Sequence, residues 1–180
     1  MREPDLTNKD IQNIYTDIIS RINDVNWNSI KHFNRNEWGT GVEHVKPQLI
    51  YTIDFLRSWI GMPIIITNAY STSGHTKNSK HYKGLAVDFY FKDSLIDRKN
   101  KKSIAIATIL HTTLILEFLN RINICHINNG YGLGVYTDWN HSPGFHLDIR
   151  KNIVSYWGRK NNQYCNMHDI LKDACTILGR

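Results

Sequence analysis

Apolar residues recur every three to four positions over 8–24, where Ile11, Ile14, Tyr15, Ile18, Ile19 and Ile22 would share one face of a helix. Thr7 or Asn8 would cap it. The same period returns over about 47–60, with Leu49, Ile50, Ile53, Leu56 and Ile60 turned to a core and Gly61 ending the helix. "MPIIITNAY" then becomes a β-branched run and reads as a strand, followed by the loop "STSGHTKNS". Leu85 to Phe91 is the next strand, and the charged "KDSLIDRKNKK" leads from it to a third helix over about 103–121. That helix is apolar on most sides, which predicts deep burial. Past the turn residues Ile127-Asn128-Asn129-Gly130 come two short strands, "GLGVYT" and "GFHLDIR", and a closing helix over about 167–178. Helices first, then strands around one long helix, predict an α+β fold. The expected architecture is a single domain, 1–180, with a small, mainly antiparallel sheet packed against helices.

A strand sends alternate side chains to opposite faces. In "LAVDFYF", Leu85, Val87, Phe89 and Phe91 form the apolar face, while Ala86, Asp88 and Tyr90 form the other. In "GFHLDIR", Phe145, Leu147 and Ile149 are the apolar set; His146, Asp148 and Arg150 oppose them. If both strands join one sheet, Asp88 and His146 converge, and His81 reaches the same point across a turn at Gly84. Two imidazoles and a carboxylate suit one Zn²⁺, and three protein ligands leave a coordination position for water. Such a water, its pKa lowered toward about 7, can attack an amide carbonyl. Histidines on strands are more often surface or hydrogen-bonded residues, and spacing alone leaves that alternative open.

Composition narrows the setting. The 180 residues are 41% hydrophobic and 21% charged, as expected of a globular domain. No apolar run reaches the ~18 residues a membrane span needs, so no membrane insertion is expected. Met1-Arg2-Glu3-Pro4-Asp5 offers no secretion segment, and synthesis in the cytoplasm is the expectation. The three cysteines, Cys125, Cys165 and Cys175, lack C-x-x-C pairing and read as free thiols. A net charge of +6 favours an anionic partner. The lysines are scattered or in short clusters such as Lys101-Lys102, with no basic, aromatic-interleaved stripe, so nucleic acid is not the expected partner.

Ser79 to Asp88, "SKHYKGLAVD", fits the pattern S-x-H-x-x-G-x-A-x-D. It resembles the signature of the zinc D-Ala-D-Ala carboxypeptidase and murein endopeptidase family, which shares its fold with the Hedgehog signalling domain. "GLGVY" followed by "GFHLD" is similar to the branch of that family with GxGxY and FxHxD. With "FNRNEW", the helix–strand segment before "NAY", and Trp157, the resemblance covers about residues 33–158. It implies His81, Asp88 and His146 as ligands of one Zn²⁺, and peptide stems of bacterial peptidoglycan as substrate. The implied activity is that of a murein endopeptidase: a phage-type endolysin or wall-remodelling enzyme, expected as a monomer acting on the wall after release from the cell. A D-Ala-D-Ala carboxypeptidase or dipeptidase is the alternative, as is a non-catalytic zinc-containing module that binds wall or builds a particle.

Two departures from the family pattern bear on mechanism. Relatives commonly place a general base two or three residues before the last zinc histidine, where this chain has Gly144 and Pro143. The branch with FxHxD shares that absence. Asp148 is either the replacement base or the partner that orients a ligand imidazole; His141 and Asp138, in "TDWNHSPG", are the other candidates for base. Where the family often reads GYRS, this chain has Ala69-Tyr70-Ser71. Arg150 or His75 is then expected to hold a substrate oxyanion or carboxylate, and Ser79 to hydrogen-bond near the metal or cap its loop.

Overall fold

Proline's fixed φ suits a helix start, and glycine's freedom at positive φ suits a helix end. Pro47 and Gly61 (φ 71°) bracket α1, Pro47–Ile60, in this way in the computed structural model, which describes residues 23–122 and 130–179. The helix expected over 8–24, apart from its last two residues, lies outside the described residues, as do Cys125 and the turn residues 127–129. Leu49, Ile50, Ile53 and Leu56 of α1 are fully buried, as their spacing predicts. Asn100 caps α2, Lys101–Arg121, by accepting from the backbone N–H groups of Lys102 and Ser103. By length and composition alone α2 could cross a membrane. Here Ile115, Phe118 and Leu119 are buried in the core, while Ile106 and Leu110 stay exposed. Asn166 and Asp169 form a capping box at the start of α3, Met167–Ile177.

The fold is α+β, with six strands in one mostly antiparallel sheet. The strands are β1 (Ile64–Asn68), β2 (Ala86–Phe91), β3 (Tyr131–Tyr136), β4 (Gly144–Ile149), β5 (Val154–Lys160) and β6 (Gln163–Cys165). Their order across the sheet is β1-β2-β4-β3-β5-β6, and among the described residues only β3 and β5 pair in parallel. The alternation expected in "LAVDFYF" and "GFHLDIR" holds: Val87, Phe89, Phe91, Phe145 and Leu147 join Leu133 and Val135 in the core.

The opposite face carries the chemistry. Register aligns Asn68, Asp88, His146, Gly134 and Trp157 in one row across β1, β2, β4, β3 and β5. A neighbouring row aligns Gly144, Tyr136, Arg159 and Tyr164. The hairpin β5–β6 turns at Asn161 and Asn162, both at positive φ (51° and 61°), which asparagine tolerates better than most residues.

Candidate metal centre

Asp88 and His146 are register partners on adjacent antiparallel strands, so their side chains leave the sheet side by side. His81 comes from a single 3₁₀ turn, His81–Lys83, closed by Gly84 at φ 63°. A Cβ on Gly84 would lie 1.8 Å from the carbonyl oxygen of His44, so only glycine fits there. The three residues are buried, and their ligand atoms lie within 4.8 Å of one another.

Hydrogen bonds fix which atoms face inward. His81 Nδ1–H donates to the carbonyl of Ala69 at 2.8 Å, leaving Nε2 with its lone pair. His146 Nε2–H donates to Asp148 Oδ2 at 3.1 Å, which turns Nδ1 toward the same point. Asp148 is itself gripped by Arg150, whose Nε–H and terminal N–H donate to its two oxygens at 2.7 and 2.9 Å. The resulting triangle has edges of 3.3 Å (His81 Nε2 to His146 Nδ1), 3.3 Å (His81 Nε2 to Asp88 Oδ1) and 2.7 Å (His146 Nδ1 to Asp88 Oδ1). Ligands about 2.0–2.1 Å from a tetrahedral zinc stand roughly 3.3 Å apart, so two edges already fit and the third needs a small opening.

With both imidazoles neutral, three lone pairs would meet and repel unless a cation sat among them. A proton is one such cation. Burial opposes it, but hydrogen bonds to Asp148 and Asp88 outweigh burial and push His146 up to about 9. Burial likewise opposes ionisation of Asp88, yet hydrogen bonds from His146 and His81 pull it down to about 2. A divalent metal replaces that proton with more charge, and two imidazoles plus a carboxylate are a donor set it accepts.

The triad lines one wall of a cavity of about 730 Å³. Trp157 lies beside His146 with ring centroids 5.2 Å apart, reaching across Gly134, where a Cβ would come 2.6 Å from its indole nitrogen. Gly132 makes the same room for the Arg150 guanidinium, and Gly144 for the ring of Trp139. These glycines let long side chains lie flat over the sheet and wall the cavity.

The remaining sequence candidates separate. Asp148 is behind His146 with both oxygens engaged, the geometry of the orienting alternative. Arg150 is committed to Asp148 and packs over the Trp157 ring at 5.0 Å. His75 stacks on His81 at 4.5 Å, and Asn68 Nδ2–H donates to its Nε2 at 2.8 Å, so its other nitrogen carries the hydrogen. Ser79 Oγ accepts from the His81 N–H at 3.3 Å, which is loop capping at the rim. His141 is not brought to the centre: it is exposed, stacks on Tyr90 at 4.5 Å and does not line the cavity. Asp138 also lies outside the lining, accepting from the Asn162 N–H at 2.6 Å. Expecting either residue as base took chain proximity for spatial proximity.

Tyr136, the last residue of the "GLGVY" segment, also lines the cavity, and Asn68, Arg159 and Tyr164, which contribute to or support it, are not among the residues the sequence singles out. The alternation in "VSYWGRK" and the Asn161-Asn162 turn were the available signals for the last two. Comparison with protein-family profiles, curated proteins and solved structures finds no match to this chain.

Proposed function

We propose that this chain is a zinc-dependent peptidase that hydrolyses a peptide bond in the stems of bacterial peptidoglycan. The observation that carries the reading is a three-residue ligand set placed on the wall of a large cavity. Structural zinc sites take four protein ligands and close around the ion, whereas catalytic ones take three and stay accessible. The S-x-H-x-x-G-x-A-x-D and F-x-H-x-D segments contain these three residues, and the six-stranded α+β layout is compatible with a Hedgehog/DD-peptidase fold.

Zinc held there would supply Lewis acidity, polarising a carbonyl and lowering the pKa of water toward about 7. The protein's own part is positioning. Ala69 and Asp148 hold a hydrogen on the outward nitrogen of each imidazole, so the inward lone pairs stay available. Against its burial, His146 and Arg150 together hold Asp148 ionised, and Arg150 fixes it in place. Lys80 and Arg159 line the cavity and, with the net charge of +6, favour an anionic wall polymer.

The test is digestion of purified peptidoglycan, with and without chelator, followed by mass spectrometry of the released fragments. New amine termini that require zinc and disappear in His81→Ala support the proposal, and fragment masses identify the bond. Absence of cleavage by zinc-loaded protein contradicts it. One observation favours a second reading, a zinc-containing wall-binding module: both carboxylates lining the cavity, Asp88 and Asp148, are already engaged. Wall binding with full zinc and no turnover would select that reading.

A further inference from the structure

A hydrolytic site needs a hydrogen-bond donor where negative charge develops on the carbonyl oxygen. Arg150 has spent its Nε–H and one terminal nitrogen on Asp148, and His75, which keeps a hydrogen on Nδ1, is exposed to solvent. Tyr136 is different. It ends β3 in the row beside His146, lines the same cavity as the triad, and is only 5% exposed. Trp157 Nε1–H donates to its phenol oxygen at 3.1 Å. That bond uses an oxygen lone pair and leaves the phenol's own hydrogen, which has no acceptor among the described residues. The ring is fixed between Trp139, 4.5 Å away by centroids, and the Trp157 indole, so the hydroxyl is placed before substrate arrives.

We infer that Tyr136 is a catalytic residue whose O–H donates a hydrogen bond to the oxyanion formed on the substrate carbonyl. This inference rests on the peptidase reading. Water oxygen bonds to the carbonyl carbon and the C=O π pair moves onto oxygen. Tyr136 stabilises that charge and keeps its proton. The pair then re-forms the C=O bond, the C–N bond breaks, and a proton from the water ends on the leaving amine. Burial raises the Tyr136 phenol well above its ordinary range, which keeps it a donor at neutral pH. Trp157 acts through Tyr136 as a positioning residue.

The experiment compares wild type with Tyr136→Phe, a change that removes one oxygen and preserves the ring packing. Expected are a fall in kcat of about 10²-fold or more, the loss typical of one oxyanion donor, with KM and zinc content unchanged. Retention of kcat within threefold overturns the inference while leaving the peptidase reading intact. A second measurement does not require turnover: binding of a phosphinate pseudodipeptide, whose anionic oxygens mimic the tetrahedral species, to the zinc-loaded proteins. Tyr136→Phe should weaken it by about tenfold to a hundredfold. Equal affinity of the two proteins overturns the inference. If wild type binds the phosphinate through Tyr136 yet cleaves no wall fragment, the choice of substrate has failed and the assignment of the donor stands.

Discussion

A metal ion at this centre would compete with a proton for one lone pair on His146, and that competition sets a measurable pH dependence. In the metal-free protein, burial opposes the imidazolium, but Asp148 and Asp88 outweigh it and raise His146 to about 9. Asp88, lowered to about 2, is ionised throughout the neutral range and adds no further proton there. Each zinc ion bound near pH 7 must therefore expel one proton from His146. From His146 alone the apparent association constant should rise nearly tenfold per pH unit below 9, about 1.4 kcal/mol, or about fiftyfold between pH 7 and 9, and ionisation of a zinc-bound water adds to that rise. Competition against a chromophoric chelator gives the constant. Calorimetry in buffers of different ionisation enthalpy counts the protons: near pH 6, below the range in which a zinc-bound water ionises, about one is released per zinc. The same linkage acts on folding. A pKa raised in the folded state stabilises fully below the unfolded value of about 6.5, and the contribution is lost as pH rises through 9. Urea melts in chelator should show a loss of about 3 kcal/mol between pH 6.5 and 9.5. An association constant that is flat from pH 7 to 9, with no proton released near pH 6, would refute the placement of His146 between two carboxylates.

Asp148→Asn removes the charge that orients His146 and should weaken zinc binding by about 10–100-fold, measured by chelator competition, without unfolding the chain. Gly84→Ala sets a Cβ 1.8 Å from the His44 carbonyl oxygen in a left-handed backbone; urea melts should show a loss of at least about 1–2 kcal/mol, and zinc affinity should fall with it because the turn carries His81. Gly134→Val drives the Trp157 indole off His146 and Tyr136, so near-ultraviolet circular dichroism should change while far-ultraviolet spectra do not. Phe118→Ala, in the core and outside the cavity lining, should cost about 3–5 kcal/mol and leave zinc stoichiometry unchanged in the folded protein.

The site was more legible in the sequence than the sheet around it. A carboxylate inside "LAVDFYF" contradicts an otherwise apolar strand, and such a local contradiction marks a functional position. Period-two alternation then put Asp88 and His146 on one face, which register confirms by pairing them. Helix ends were legible because Pro47 and Gly61 are strong punctuation. The hairpin β5–β6 was missed because β5 buries little: Val154 and Tyr156 are exposed, so its alternation carries a weak apolar signal. The role of Asp148 could not be resolved from spacing, since a residue two along a strand can face the metal or a ligand's far nitrogen. Only the Arg150 clamp distinguishes them. Tyr136 meets its partner Trp157 on another strand, a pairing that depends on a sheet order running out of chain order, and Asn68 meets His75 only because the loop after β1 folds back.

X-ray absorption on zinc-loaded protein, with metal counted per chain, tests the centre most directly. The expected result is one zinc per chain with two imidazole nitrogens and carboxylate oxygen at about 2.0–2.2 Å, lost in His81→Ala and in Asp88→Ala. Sub-stoichiometric uptake, a sulfur ligand, or binding that survives both substitutions would contradict it.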